Sequence, residues 1–339
     1  MKEKRINPLG IALKDFLGNY LPNLRGVSAH TILSYRDSLK LLLQFLASQK
    51  TLHISEIEIE NIRVADILTF LDHLETSRGN SIGTRNIRLA ALHSFFRYLA
   101  TTYPQYLEQA QRILNIPFKR TSTRMIEYLE FEEVQAVLRS VDCSKPDERR
   151  DYTLLLLMFN TGARVQEIVD LRASDCQLSK PFSVRIFGKG RKERICPIWE
   201  ETARRLREHM EERGIDPRRP VSVFLNHIDT PLTRYGIRYI MAKYLRKAAQ
   251  TCPSLKKKRL HPHSMRHSTA IHLLKSGVDL CTIASWLGHV SINTTNKYVT
   301  LDLEMKRQAI AKAQPFDPTT NSSKPWRQDP DILVWLESL

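Results

Sequence analysis

Three histidines and an arginine lie within seven residues, in the stretch H-P-H-S-M-R-H from His261 to His267. Histidines four residues apart share a helix face and can bind zinc, as His263 and His267 would. However, Ser264 stands where an H-E-x-x-H motif has its general base, and Arg266 places a permanent cation between the two imidazoles. An arginine beside imidazoles suits an anionic oxygen better than a metal ion. The cluster therefore predicts a phosphate site.

Two other segments carry side chains suited to an anion. T-G-A-R-V-Q-E predicts a helix that starts at Gly162, with Arg164 in its first turn, where the helix N-terminus also attracts negative charge. Glu167 could orient that guanidinium, or the two residues could form an ordinary surface ion pair. In G-K-G-R-K, Lys189 lies at the tip of a predicted strand turn. That pattern is not a Walker loop and is also typical of a plain basic hairpin.

The stretch S-W-L-G-H-V-S-I-N-T-T-N-K-Y adds a histidine and a tyrosine. Gly288 is predicted to close a helix, His289 to stand just outside it, and Ser291 to cap a following helix that carries Tyr298. A lone tyrosine is usually a core or interface residue, but here the two side chains can converge on one site. The combined set matches phosphoryl transfer to a protein nucleophile without a metal: Arg164, Lys189, His263, Arg266, His289 and Tyr298.

The distribution of charge along the chain also indicates an anionic partner. The chain has 339 residues, enough for two domains, and a net charge of +16. Residues 181–270 hold 21 Lys and Arg against 8 Asp and Glu, so +13 is concentrated there. Such concentration is typical of a protein that binds nucleic acid, although a basic solvated surface is the alternative. The five cysteines lie far apart without a C-x-x-C pair, and the N-terminus does not resemble a signal peptide, so we expect a cytoplasmic protein with reduced thiols.

The elements that must position these residues are mostly helices. Apolar residues at helical spacing follow Ser28, a second helix is predicted over Val64–Thr76, and a third follows Ser81. The third helix carries three arginines that could lie along one flank against a phosphate backbone or be plain solvated residues: Arg85, Arg88 and Arg97.

The second part of the chain mixes helices with two short strands. Two helices open it, strands around Ser183–Phe187 and Arg194–Ile198 flank the G-K-G-R-K turn, and further helices follow. The predicted helices are Phe131–Ser140, Tyr152–Asn160, Thr202–Arg213, Tyr235–Ala249 and one after His263. We therefore predict a mainly α fold with a small antiparallel β-sheet, in the α+β class.

The four boxes T-G-A-R-V-Q-E, G-K-G-R-K-E-R, H-P-H-S-M-R-H and L-G-H-V-S-I-N-T-T-N-K-Y resemble the tyrosine recombinase (phage integrase) family, in its order and spacing and with an Xer-like character. The resemblance covers about Met125 to Ala313; Met265 replaces the usual leucine, a volume-conserving change. It implies a helical core-binding domain over 9–103 and a catalytic domain over 123–313. A proline and a basic pair without periodicity predict a linker, placed over 104–122, and the polar, Pro-rich residues after Gln314 predict a flexible tail over 314–339. The tail ends in an amphipathic stripe of Ile332, Trp335, Leu336 and Leu339.

The resemblance implies a site-specific recombinase or integrase that serves a mobile element or replicon resolution. Tyr298 would attack a scissile DNA phosphate, giving a covalent 3′-phosphotyrosine and a free 5′-hydroxyl. Arg164 and Arg266 would hold the non-bridging oxygens as negative charge builds. Four protomers would exchange strands between two sites on double-stranded DNA, each with its two domains gripping the duplex as a clamp. No cofactor is implied, whereas an accessory recombinase or DNA-bending protein is a possible partner.

The remaining roles follow the family pattern. Lys189 would protonate the leaving 5′-oxygen, His289 would donate a further hydrogen bond, and His263 would assist proton transfer from the phenol. His267 is expected to pack or hydrogen-bond, and His261 has no assigned role. Two rivals are a type IB topoisomerase, which uses nearly the same residues, and a decayed integrase that only occupies DNA. The L-G-H box and the small helical N-terminal part favour a recombinase, and all six catalytic residues are in place.

Overall fold

A computed structural model describes residues 7–121, 126–188 and 192–288, together with Thr295 and Tyr298. The backbone divides into two compact units, Met1–Arg124 and Met125–Leu339. Lys189, His289, the predicted cap Ser291 and the predicted tail lie outside the described residues. The finer limits predicted for the domains and the linker stay predictions.

The first unit is built from helices around one apolar core. The side chain of Ser28 accepts a hydrogen bond from the Thr31 amide, and that of Ser81 accepts one from Thr84, so both predicted caps are confirmed. The helix predicted over Val64–Thr76 has those bounds in the structure. The helices are α1 (Pro8–Asp15), which continues as a π-helical segment (Phe16–Leu24), α2 (Ala29–Lys50), α3 (Val64–Thr76), α4 (Ile82–Thr102) and α5 (Leu107–Leu114).

The predicted flank of arginines on α4 is wrong for Arg85. Its side chain is 4% exposed and lies 3.4 Å from Glu75, measured from Nε to Oε1. Arg88 donates to the Ser38 hydroxyl at 3.0 Å, and Arg97 is exposed. The physical reason is helical periodicity: Arg85 lies four residues before Leu89, so it shares the face that α4 turns to the core.

The second unit surrounds a small sheet with helices, which confirms the predicted mainly α fold with an antiparallel sheet. Its three described strands pair antiparallel in the order in which they follow along the chain, with Val184 opposite Cys196. The elements are α6 (Phe131–Arg139), α7 (Pro146–Thr161), α8 (Val165–Val169), β1 (Cys176–Gln177), β2 (Ser183–Phe187), β3 (Glu193–Pro197), α9 (Glu200–Glu212), α10 (Arg234–Ala248), α11 (Pro262–Lys275) and α12 (Leu280–Leu287).

Gly162 ends a helix, whereas the sequence predicted that it begins one. The helix predicted from Tyr152 begins at Pro146, a residue type favoured in the first helical turn, and Gly162 closes it with φ at +59°. Arg164 then stands at the N-cap of α8 instead of within its first turn. A side chain at Gly162 would also clash, because its Cβ would lie 2.6 Å from Leu287 Cδ2. The helix end therefore needs glycine for two reasons.

The five cysteines are all free thiols. Two of them, Cys176 and Cys196, are buried in the core of the second unit, where burial raises the pKa of the Cys176 thiol to about 12. Among the described residues, no helix combines the length and apolar character needed to cross a membrane.

Candidate active site

Arg266 is buried in the second unit and is held by the ends of two helices. It lies in the second turn of α11 and is 4% exposed. Its guanidinium donates to the carbonyl of Gly162 at 2.7 Å and to that of Leu287 at 2.5 Å. Carbonyls at helix C-termini carry partial negative charge and need donors from outside the helix. Arg266 therefore joins α7, α11 and α12, and its position is fixed by the fold.

Glu167 is the carboxylate that organises the arginines next to this point. It is 6% exposed, and its two oxygens accept from the backbone amide and the guanidinium of Arg164, each at 2.8 Å. Arg194 donates to it at 2.7 Å. Burial acts to raise the pKa of Glu167, but hydrogen bonds and charge from Arg194 and Arg164 outweigh burial and lower that pKa. Glu167 thus orients Arg164, and the alternative of an ordinary surface ion pair is wrong.

Arg194 was missed by the sequence reasoning. Besides its ion pair with Glu167, it donates from Nε to the carbonyl of Trp286 at 2.8 Å. A Cβ placed on Gly288, which has φ at +64°, would lie 3.1 Å from the Arg194 Cδ. The side chain shares the inward face of β3 with the buried Cys196, so the alternation of that strand is the signal that could have found it. Arg194 joins the β2–β3 hairpin to the end of α12.

Two predicted site residues follow described elements directly in the sequence: Lys189 comes after the β2 end of the β2–β3 hairpin, and His289 comes after the residue that ends α12. Beyond the paired residues of β2 and β3, the Gly188 amide donates to the Lys192 carbonyl at 2.7 Å, and Lys189 follows Gly188 in the sequence. The helix α12 ends at Gly288 as predicted, immediately before His289. Lys189 and His289 themselves lie outside the described residues.

Tyr298 is both a core residue and a neighbour of the arginines. It is 1% exposed and packs in an apolar cluster with Ile271, Leu274, Ile283 and Leu287. Burial raises the pKa of Tyr298 to about 12, while the positive charges of the nearby Arg266 and Arg164 act to lower it.

The phenol of Tyr298 is hydrogen-bonded to His267, with 2.8 Å between the phenol oxygen and Nδ1. The expectation that His267 packs or hydrogen-bonds is therefore confirmed. His263, one turn earlier on α11, is exposed and lines an open groove of about 430 Å³. The other lining residues of that groove are Val165, Arg234, Tyr235, Arg238, His261 and Pro262.

The described site carries surplus positive charge. Arg164 and Arg194 form ion pairs with Glu167. Arg266 is attracted by Glu167 and repelled by both of these arginines, so three positive charges share one carboxylate. Burial first, and then repulsion by Arg164, lower the pKa of Arg266 to about 10. The three predicted residues Arg164, Arg266 and Tyr298 thus come together, and the surplus charge makes the site a receptor for an anion.

Comparisons with known proteins show the family of the chain. The family model "Phage integrase family" matches residues 127–305, and the model "Phage integrase, N-terminal SAM-like domain" matches residues 13–102. The chain belongs to the phage integrase family of tyrosine recombinases. It is therefore a site-specific recombinase that cleaves and rejoins DNA, and the topoisomerase alternative is wrong.

Individual relatives give the same assignment. The recombinase is 38% identical over 332 residues to a putative integrase/recombinase, y4rC, of Sinorhizobium fredii, covering 96% of this chain and 97% of that one. It is 29% identical to the tyrosine recombinase XerC of Staphylococcus haemolyticus, over 88% of this chain and 95% of that one. The solved structure of XerH recombinase bound to palindromic difH has the same fold, with a TM-score of 0.66, 23% identity and coverage of 85% and 81%.

Proposed function

We propose that this recombinase cuts DNA by attack of the Tyr298 phenol on the scissile phosphate. The Oη–P bond forms, the bond from phosphorus to the 5′-oxygen breaks, and the products are a 3′-phosphotyrosine and a free 5′-hydroxyl. The observation that carries the proposal is the position of the buried Tyr298 next to Arg164 and Arg266, whose surplus charge suits a phosphate. Preorganised cations of this kind stabilise the negative charge that builds in the transition state.

The two arginines differ in how they would hold the phosphate. Arg266 uses donors on two of its nitrogens for backbone carbonyls, and a guanidinium has five donors in all. Arg164 has about a third of its side chain exposed and forms one side-chain hydrogen bond to Glu167. Arg266 would therefore be a fixed contact deep in the site, and Arg164 a contact at its open edge.

The other roles follow the family pattern and are part of the same proposal. Lys189 protonates the leaving 5′-oxygen, His289 donates a hydrogen bond to the phosphate, and the family pattern gives His263 a part in proton transfer from the phenol. The exposure of His263 in the groove supports an encounter with DNA.

Replacement of the nucleophile tests the proposal. In Tyr298→Phe we expect no covalent protein–DNA adduct on a suicide substrate and DNA affinity within a few-fold of wild type. Tyr235→Phe, an exposed tyrosine of the groove, is the control and should form the adduct. An adduct trapped with Tyr298→Phe would show that a different residue is the nucleophile.

We further propose that the recombinase acts on double-stranded DNA in the cytoplasm, as four protomers on two sites, in the service of a mobile element or of replicon resolution. Solved structures of similar fold support assembly on DNA, since they include a lambda integrase dimer on a core site and the Tn1549 transposon integrase on transposon-end DNA. A need for an accessory recombinase or DNA-bending protein is part of this proposal.

The predicted tail offers a test of assembly. Truncation after Ala313 removes residues 314–339, including the stripe with Trp335, a residue type common at interface anchors. If the tail docks on a neighbouring protomer, the truncated protein should cleave a single site normally but lose cooperative binding and recombination between two sites. Unchanged recombination would mean that the tail is dispensable, and a general loss of folding would mean that it packs on its own chain.

The concentrated charge of residues 181–270 predicts a steep salt dependence of DNA binding. A protein that contacts six to ten phosphates loses about 10³- to 10⁵-fold in affinity between roughly 50 and 200 mM salt, because counterions are released. A fluorescence titration over this range measures the slope. A flat slope would contradict binding of the DNA backbone by this region.

A further inference from the structure

The phenol of Tyr298 contacts an imidazole to which the family pattern gives no role. His267 follows Arg266 on α11, and its Nδ1 lies 2.8 Å from the Tyr298 oxygen, with the two ring centroids 5.6 Å apart. Tyr298 is 1% exposed and His267 is half-buried, so the contact is made inside the protein. A base within about 2.6–3.2 Å of the proton it must remove satisfies the geometric requirement for general base catalysis.

We propose that His267 is the catalytic residue that takes the proton of Tyr298 during attack. The inference rests on the proposed function of Tyr298 as the nucleophile. The phenol O–H bond breaks and its proton passes to Nδ1, while the Oη–P bond forms and the bond to the 5′-oxygen breaks. The electron pair leaves with the 5′-oxygen, which takes a proton from Lys189. During rejoining the 5′-hydroxyl attacks, and His267 returns the proton to the departing phenolate.

This step fixes the tautomer of the imidazole. Nδ1 must be unprotonated to accept the phenol proton, and the ring proton must then be on Nε2. A phenol with a pKa of about 12 does not ionise ahead of attack, so removal of its proton must accompany formation of the Oη–P bond. Arg164 and Arg266 favour the developing phenolate, because their charges act against the effect of burial.

His263, to which the family pattern gives proton transfer from the phenol, is placed for a different task in this structure. It lies one helical turn before His267, about 6 Å along α11, and it is exposed in the groove with Arg234 and Arg238. Its ring is paired with that of His261 at a centroid distance of 5.9 Å. His263 is therefore suited to meet the incoming phosphate, whereas His267 already holds the nucleophile.

Two substitutions separate proton transfer from simple positioning. His267→Asn retains a side chain that can hydrogen-bond to the phenol but has no basic nitrogen, and His267→Ala removes both properties. We expect both variants to lower the single-turnover cleavage rate by about 10²-fold or more, the range of a lost general base. DNA affinity should stay within about threefold of wild type. His272→Asn, on the same helix and stacked on Phe131, is the matched control and should cleave normally.

Two chemical rescues complete the test. Added imidazole should raise the rate of His267→Ala, since it supplies a base in the space left by the side chain. A 5′-bridging phosphorothiolate substrate, whose leaving group needs no proton, should rescue Lys189→Ala but neither His267 variant. Cleavage by His267→Asn at the wild-type rate would overturn the proposal in favour of a hydrogen bond alone. Rescue of His267→Asn by the phosphorothiolate would overturn it in favour of a role at the leaving group.

The Tyr298→Phe and His267→Asn variants together separate the role of the nucleophile from the role of its base. An adduct formed by Tyr298→Phe would remove the nucleophile assignment itself. Loss of the adduct in Tyr298→Phe together with normal cleavage by His267→Asn would leave the nucleophile in place and remove only the role of His267.

Discussion

Arg85 in the first unit and Arg266 in the second are equally buried, each 4% exposed, but their surroundings differ. Arg85 lies against the carboxylate of Glu75, with Nε 3.4 Å from Oε1. Arg266 donates to two backbone carbonyls and has Arg164 and Arg194 close enough to repel it, which together with burial lowers its pKa to about 10. A buried guanidinium is costly unless its charge is matched. Glu75 matches the charge of Arg85 in the first unit, whereas the charge of Arg266 in the second unit is matched only in part.

The difference shows how one residue type serves two purposes. Arg85 completes a structural ion pair that holds α3 and α4 together through Glu75. Arg266 is kept in place by the ends of α7 and α12, and the charge that would complete its surroundings is that of a phosphate. Uncompensated charge of this kind is expected at functional sites, where local stability gives way to chemistry.

Substitution of the two arginines gives the largest expected difference. Arg266→Gln should lower the cleavage rate by roughly 10²- to 10³-fold, the usual cost of one donor to a developing oxyanion. Its melting temperature should fall less than that of Arg85→Gln, because the loss of two hydrogen bonds is offset by relief of repulsion. Arg85→Gln should lower the free energy of unfolding by about 3 kcal/mol and leave cleavage per folded molecule unchanged. An Arg85→Gln variant that keeps the wild-type free energy of unfolding but cleaves DNA slowly would contradict the structural role given to Arg85.

Removal of the carboxylate that balances the site should have the next largest effect. Glu167→Gln keeps the size of the side chain but leaves Arg164, Arg194 and Arg266 without their shared negative neighbour. We expect a loss of about 3 kcal/mol in the free energy of unfolding and a 10- to 100-fold loss of cleavage. Glu133→Gln is the matched control, since Glu133 is also buried and paired, with Lys258. It should lose stability without losing cleavage.

The pH dependence of the melting temperature of Glu167→Gln tests the same ion pairs. Because the pKa of Glu167 is lowered in the folded protein from its ordinary value of 4.5, its ionised form contributes stability above pH 4.5. That contribution is lost as the pH falls through the lowered value. The difference in melting temperature between wild type and Glu167→Gln should therefore be constant near neutral pH and shrink below pH 4.5. A difference that grows on acidification would contradict the ion pairs with Arg164 and Arg194.

Arg194→Lys should have a smaller effect, a loss of about tenfold in cleavage with little change in DNA affinity. Lysine retains the charge but cannot contact Glu167 and the Trp286 carbonyl together with a planar fork. Arg185→Lys, on the neighbouring strand, is the control, because that arginine is half-exposed in its pair with Asp175 and should matter little. Equal rates for the two variants would show that Arg194 does not position the site.

The smallest expected effect concerns the exposed arginine of α4. Arg97→Ala should weaken DNA binding a few-fold and reduce the slope of log affinity against log salt by about 0.9, the value of one phosphate contact. Arg88→Ala should leave the slope unchanged, since Arg88 is committed to the Ser38 hydroxyl. A change of slope in Arg88→Ala and none in Arg97→Ala would reverse the assignment of the DNA-facing side of α4.

Local signals in the sequence were sufficient for most of the helices and for the composition of the site. Ser28 and Ser81 cap the helices that they precede, and Gly288 ends α12, because capping depends on residues within one turn. The limit of such signals appears at Gly162, where the same residue type can precede a helix or end one. The choice depended on how far α7 extended toward its N-terminus, to Pro146.

The sequence by itself determined the family, the fold class and the residue types available for phosphoryl transfer. Only the tertiary structure decided which of them touch. Arg194 reaches Glu167 across 27 residues, His267 reaches Tyr298 across 31, and Arg266 reaches the Gly162 carbonyl across 104. The physical reason is that periodicity and caps act over a few residues, whereas these contacts depend on how packed helices bring distant side chains together. The contact of His267 with Tyr298, the proposed nucleophile, is therefore a result of packing that no local pattern contains.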